Sequence, residues 1–93
     1  MQTTQVKPGT CIEYTIDGAV ITVGGLDIDA AAEQKDERVI VDVFKNGSIT
    51  RSPGGYRIMA IEIPPITYTD DVADPLDVNN VVITLWPITG GTQ

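Results

Sequence analysis

Four aspartates, Asp70, Asp71, Asp74 and Asp77, fall within eight residues, and Asn79 and Asn80 follow them. Clustered oxygen ligands on a flexible loop are what a calcium ion favours. The spacing, however, does not follow the D-x-[DN]-x-[DN]-G calcium loop with its distant Glu. The segment reads first as a solvated acidic loop, or as an acidic prong for a basic groove on a neighbouring subunit. A cation site is the weaker reading, so no metal ligands are assigned.

Elsewhere the chemistry is sparse. The chain has no His, which removes the commonest general base and metal ligand. Serine occurs only at Ser48 and Ser52, beside or within turns and outside any G-x-S-x-G context. The pairs in "VGGL" and "SPGGY" lack the Lys or helix of a phosphate loop and read as turns. Asp27 and Asp29 could share acid–base work, but they alternate with apolar residues as the polar side of a strand does. Cys11 has Lys7 as its only nearby cation in sequence, so nothing there marks a reactive thiol, and it reads as a small packing residue. A single cysteine forms no intrachain disulfide. We expect no catalytic residues, no cofactor and no enzyme.

Charge narrows the partners. Thirteen acidic residues against six basic give a net charge of −7 and a pI near 4.1. A free-standing nucleic-acid binder needs a basic face, and a polybasic membrane contact needs the same. Neither partner is expected. Acidity of this size serves solubility or complements a basic protein. The opening "MQTTQVKPGT" has no apolar core, so no secretory signal is expected, and no apolar run reaches the length of a spanning helix. The expected site of synthesis is a reducing bacterial cytoplasm.

What must position these groups is a set of strands. Twelve Ile and ten Val stand against three Leu, and nine Gly and six Pro mostly separate the apolar runs. In "CIEYTIDGAVITV" the Asp17-Gly18 pair predicts a type I′ hairpin turn. That turn sets Ile16 opposite Ala19, Tyr14 opposite Ile21 and Ile12 opposite Val23, all on one face. Cys11, Glu13, Thr15, Val20 and Thr22 take the other. "LDID" resumes the alternation after Gly24-Gly25. "AAAEQKDE" predicts a strand end or one helical turn, with Asp29 as N-cap. "RVIVDVFKNGSITRS" predicts a second hairpin closed at Asn46-Gly47. It places Lys45 opposite Ser48, Phe44 opposite Ile49, Val43 opposite Thr50 and Asp42 opposite Arg51, the last as an ion pair.

"YRIMAIEI" predicts a strand with Arg57, Met59, Ile61 and Ile63 on one face and Tyr56, Ile58, Ala60 and Glu62 on the other. Pro64-Pro65 ends it. "TDDVADPLDVNN" reads as a polar loop, and "VVITLWPI" as a final strand with both faces covered. The expected fold is all-β: a small antiparallel β-sandwich or partly open barrel of six to seven strands. It forms a single domain over 1–93, with a polar arm at 1–10 and a loose tail at 89–93. Tyr14, Ile16, Ile21, Val41, Val43, Ile61, Ile83 and Leu85 are expected in the core. The Met59–Ile63 face and the strand before Trp86 carry more apolar surface than a solvated edge should. Either this core or other subunits must cover it.

The order of a hairpin, "IDAAAEQ", a short hairpin, "YRIMAIEIPPITY", an acidic loop and "PLDVNNVVITLWP" resembles small structural proteins in the tail-gene modules of tailed bacteriophages and prophages. The resemblance covers most of residues 12–88 and rests on general texture plus the "AIEIPP" and "ITLWP" runs, which carry no functional residue across. It implies a non-enzymatic virion structural protein, first of all a tail tip or baseplate component, whose partners are copies of itself and other virion proteins. Capsid decoration is a close variant. A soluble intracellular β-module, binding a ligand, a protein or a metal at the Asp loop, is the alternative from another class. The isolated chain is expected to be oligomeric, or to become ordered only within an assembly.

Overall fold

In the computed structural model, residues 1–6, 9–46 and 48–87 are described. The strands are β1 (Gln2–Gln5), β2 (Tyr14–Asp17), β3 (Val20–Val23), β4 (Leu26–Asp29), β5 (Val39–Asn46), β6 (Ser48–Thr50), β7 (Tyr56–Ile63), β8 (Tyr68–Thr69), β9 (Val72–Ala73) and β10 (Val82–Leu85). One helical turn, α1 (Ala30–Glu33), follows β4, and a 3-10 turn spans Val78–Asn80. The fold is all-β, as expected. The strand count is larger than the expected six to seven, because β1, β8 and β9 lack an alternating apolar pattern.

Five strands form one sheet in the order β1-β10-β7-β5-β6, and β2-β3-β4 form a meander. The segment expected as a polar arm therefore supplies an edge strand, Gln2–Gln5, parallel to β10. The other pairings are antiparallel. One apolar cluster joins the two larger sheets. Ile21, Val23, Ile28 and Ala30 come from the meander side, and Val41, Val43, Ile58, Met59, Ile61, Ile63, Val81, Ile83 and Leu85 from the large sheet. No polar side chain of the described residues is buried with them.

The first hairpin turns one residue later than expected. Asp17 pairs with Val20 and Ile16 with Ile21, leaving Gly18-Ala19 as the loop. Gly18 has φ +62 and Ala19 is not at positive φ, so the first loop position is the special one, as in a type II′ turn. The expected type I′ turn would have forced Asp17 to positive φ, and the shift leaves that conformation to glycine alone. Each partner moves by two positions, so the faces are kept. Ile21 is buried, Tyr14 is half-buried, and Ile16 is 44% exposed rather than in the core. It lies next to the turn on the outermost strand, where the core ends.

The second hairpin is displaced by one position, which exchanges faces. Phe44 pairs with Thr50, and Lys45 with Ile49. The physical reason is Ile49, which in this register packs against the core instead of pointing outward beside Phe44. It sits so close to the β3–β4 turn that a Cβ on Gly24 would lie 2.3 Å from its Cγ1. The expected Asp42–Arg51 pair is not formed: Arg51 holds Glu33, and Asp42 meets Arg57. Gly47 of the expected turn lies outside the described residues, as do Lys7, Pro8 and the tail at 89–93.

A bulge then breaks the alternation of β7. Val43 pairs with Met59 but Phe44 pairs with Arg57, so Ile58 is an extra residue. Ile58 and Met59 are both fully buried, and Arg57 is exposed instead of joining Met59, Ile61 and Ile63 as expected. In β10, Ile83 and Leu85 are buried while Val82 and Thr84 are only half-buried, so the final strand is covered on one face rather than two. Asp29 caps α1 as expected, accepting from the amides of Ala31 (3.1 Å) and Ala32 (3.4 Å).

Candidate functional site

The four clustered aspartates do not form a plain loop. Tyr68 pairs with Ala73 and Thr69 with Val72, so Asp70-Asp71 is the two-residue loop of a hairpin. Both residues have positive φ, 53° and 64°, the signature of a type I′ turn made without glycine. Aspartate tolerates this region better than most side chains. Asp74 closes the hairpin base, accepting from the Thr67 hydroxyl at 2.9 Å and the Thr69 hydroxyl at 3.2 Å. Asp77 caps the 3-10 turn through the Asn79 amide at 3.0 Å. The carboxylates of Asp74 and Asp77 thus have separate structural uses, Asp70 and Asp71 serve through their backbone, and among the described residues no group of three or more His, Cys, Asp or Glu is placed to hold a metal.

Polar contacts fix this hairpin to the segment after α1. The Tyr68 hydroxyl donates to Asp36, the Ile66 amide donates to the Lys35 carbonyl, and Gln34 Nε2 donates to the carbonyls of Pro64 and Pro65. The hydrogen bond to Asp36 raises the Tyr68 pKa above its ordinary value. Tyr68 and Val72 remain 55% and 66% exposed.

The remaining sequence candidates also find structural roles. Asp27 accepts from the Thr22 hydroxyl across the meander at 2.7 Å. Cys11 is half-buried against the core. Ser52 donates its amide to the Thr50 hydroxyl, and Ser48 is an exposed strand residue. Gly24 and Gly25, at φ +58 and +82, form the β3–β4 turn.

A different surface stands out once the strands are registered. Pairing fixes the residues on the outer face of the large sheet in three rows. Ile40, Glu62, Val82 and Gln2 form one row, and Asp42, Ala60, Thr84 and Thr4 the next. Thr50, Phe44 and Arg57 continue the third, which Trp86 completes by donating its backbone N–H to the Ile58 carbonyl at 3.0 Å. None of these residues is fully buried, and Ile40 is 50% exposed. The Arg57 guanidinium lies 4.2 Å from the centroid of the Trp86 ring and 3.3 Å from Asp42, so charge and stacking hold the indole against the sheet. Arg38 and Glu62 form an exposed pair at 3.7 Å beside Ile40.

The sequence pointed to excess apolar surface near Trp86 but put Arg57 on the same face as Met59, Ile61 and Ile63. The bulge at Ile58 is what turns Arg57 toward Trp86. No protein-family model, curated protein or solved structure matches the chain. Among the described residues no helix is long and apolar enough to cross a membrane.

Proposed function

We propose that the chain is a non-enzymatic structural protein that works by assembling through subunit contacts, as a tail tip or baseplate component of a tailed-phage virion. The observation that supports assembly is the outer face of the large sheet. There Ile40, Val82, Phe44 and Trp86 share one surface, Ile40 exposed and the other three half-buried. Tryptophan and arginine are the residue types that most often dominate interface energetics, and here they are stacked and oriented before any partner arrives. A ring of subunits would cover such a face in every copy. The virion assignment rests on the resemblance in strand order and in the "AIEIPP" and "ITLWP" runs.

Mass spectrometry and immunogold labelling of particles from cells carrying the gene with its neighbours test the assignment. Label at the tail tip supports it, label on the head moves the protein to capsid decoration, and absence from particles overturns the virion reading. Sedimentation of the purified chain tests assembly separately. Replacement of Trp86 by Ser should shift any oligomer toward monomer without altering the circular dichroism.

A further inference from the structure

The meander has a second surface with different chemistry. In the order β2-β3-β4, β2 is an edge strand whose backbone pairs, among the described residues, with β3 alone, while the Tyr14 hydroxyl meets the Thr3 hydroxyl of β1 at 3.0 Å. Its two-residue turn makes Asp17–Val20 a hydrogen-bonded pair, and the antiparallel pattern then makes Thr15–Thr22 the next one. Tyr14 and Ile16, in the alternate positions, direct their backbone N–H and C=O groups away from β3. A shallow open depression of about 500 Å³ lies beside β2 and reaches over to β3, lined by Ile12, Glu13, Tyr14, Thr15 and Thr22. Ile16, expected in the core, stands 44% exposed on the same strand. The opposite edge, β4, is obstructed differently: it carries Asp27 and Asp29 and runs into α1, which is tied back by the Ala30 amide to the Ala19 carbonyl.

Charge selects the occupant. Residues 9–34 contain Glu13, Asp17, Asp27, Asp29 and Glu33 and no Lys or Arg. Arg51 neutralises Glu33, while Glu13, Asp17, Asp27 and Asp29 belong to the outward face of the meander. Pairing β2 with β2 of a second copy would set two acidic faces side by side, which opposes that dimer. An added strand with cations on the outward face and apolar residues over Ile12, Tyr14 and Ile16 meets both requirements. We infer that the free edge of β2 is a docking site for an extended, basic, alternately apolar segment of a different protein, taken up by strand addition. The inference does not depend on the virion assignment or on the large-sheet contact.

The test uses the whole ¹⁵N-labelled chain and a capped peptide alternating valine and lysine. Three further peptides serve as probes: the same residues in two blocks, valine alternating with glutamate, and the first sequence N-methylated along one strand edge. At saturation the first peptide should slow hydrogen exchange at the Tyr14 and Ile16 amides by about tenfold or more. The N-methylated peptide should bind about tenfold more weakly, the scale of losing one or two net hydrogen bonds. Added salt should weaken the first peptide, and the glutamate peptide should not bind. Equal binding by the blocked or N-methylated peptide would reduce the contact to unspecific charge attraction and overturn strand addition. So would protection at other strands, or none at millimolar peptide. Ile16→Pro, which removes an outward amide on an edge strand, should abolish the protection with the dichroism unchanged. If that variant does not fold, the N-methylated peptide decides the matter on unaltered protein.

Discussion

Two hairpins of this chain turn at an aspartate, and they are stabilised in opposite ways. In β2–β3 the aspartate precedes Gly18, the glycine takes the positive φ, and Ile21 and Val23 on β3 are fully buried. In β8–β9 both turn residues are aspartates at positive φ, and all four strand residues are exposed. The first hairpin is held by what its face covers, so its register could slide from the expected turn without loss of the core. The second covers nothing and depends on its turn, its threonine–Asp74 closure and its ties to residues 34–36. Burial tolerates an approximate turn; a solvent-exposed hairpin needs local polar contacts.

The largest test of that contrast is truncation on the buried side. Ile21→Ala should cost about 2–5 kcal/mol, combining lost transfer energy with a residual cavity, and should lower the melting temperature of the whole domain. Val72→Ala, on the exposed hairpin, should leave it within about 0.5 kcal/mol of the parent. A comparable loss at both positions in thermal denaturation would mean that the β8–β9 hairpin also carries the fold.

Next in size is Gly24→Ala. It would put a methyl group 2.3 Å from Ile49 Cγ1 and 2.7 Å from its Cβ, at a residue with φ +58. Neither atom is the far end of a flexible chain, so strand must move against strand, at a cost of about 1–3 kcal/mol. Gly18→Ala meets no atom within 4 Å and should cost only the backbone strain of φ +62, about 1–2 kcal/mol. Chemical denaturation of the two variants separates close packing from turn conformation.

These positions also show what could be read from sequence. Alternation in "AIEI" and the apolar runs "VIVDV" and "VVITL" exposed the core strands, although the last was expected to be covered on both faces, and Asp29 before three alanines marked the helical turn. Registers were harder, because Asp-Gly names a turn region while burial of Ile49 or placement of Gly18 decides the alignment. The bulge at Ile58 has no local signal: two consecutive apolar residues fit either face until β5 fixes Val43 against Met59. β1 was invisible for a different reason. Gln2–Gln5 has no apolar pattern, and its strand character comes from parallel pairing with β10 at the far end of the chain. The outer-face stack of Arg57 on Trp86 inherits that illegibility, since it needs both the bulge and the β7–β10 pairing.

A smaller effect probes the aspartate turn itself. Asp71→Gly should relieve positive-φ strain and stabilise the β8–β9 hairpin by less than about 1 kcal/mol, offset by glycine's greater freedom when unfolded. The readout is slower amide exchange confined to residues 67–74, with the global melting temperature little changed. Calcium or EDTA should shift melting of neither protein. A calcium-dependent rise of several degrees that the Asp71→Gly, Asp74→Asn pair abolishes would make the hairpin a cation site instead.

The smallest expected effects are pH-dependent, and the two linked pairs carry opposite signs. Glu33 accepts from both Nη atoms of Arg51, at 2.8 and 3.2 Å, and this hydrogen bonding lowers its pKa, opposed in part by desolvation. A lowered carboxyl contributes stability that is present above its unfolded pKa of about 4.3 and lost as pH falls through the folded value. Tyr68 behaves inversely. Its hydroxyl donates to Asp36 and its pKa is raised, so the contact is intact below the unfolded value of about 10 and is lost as pH rises through the folded one. The acid limb should therefore report the β6–α1 tie within the sandwich, and the alkaline limb the anchor of the exposed hairpin. Glu33→Gln should flatten part of the acid limb of melting temperature against pH. Tyr68→Phe should leave that limb unchanged, and instead speed amide exchange at Ile66 and Asp74 at neutral pH. If Tyr68→Phe instead lowered the melting temperature as far as Ile21→Ala does, the division between a buried and a polar hairpin would fail.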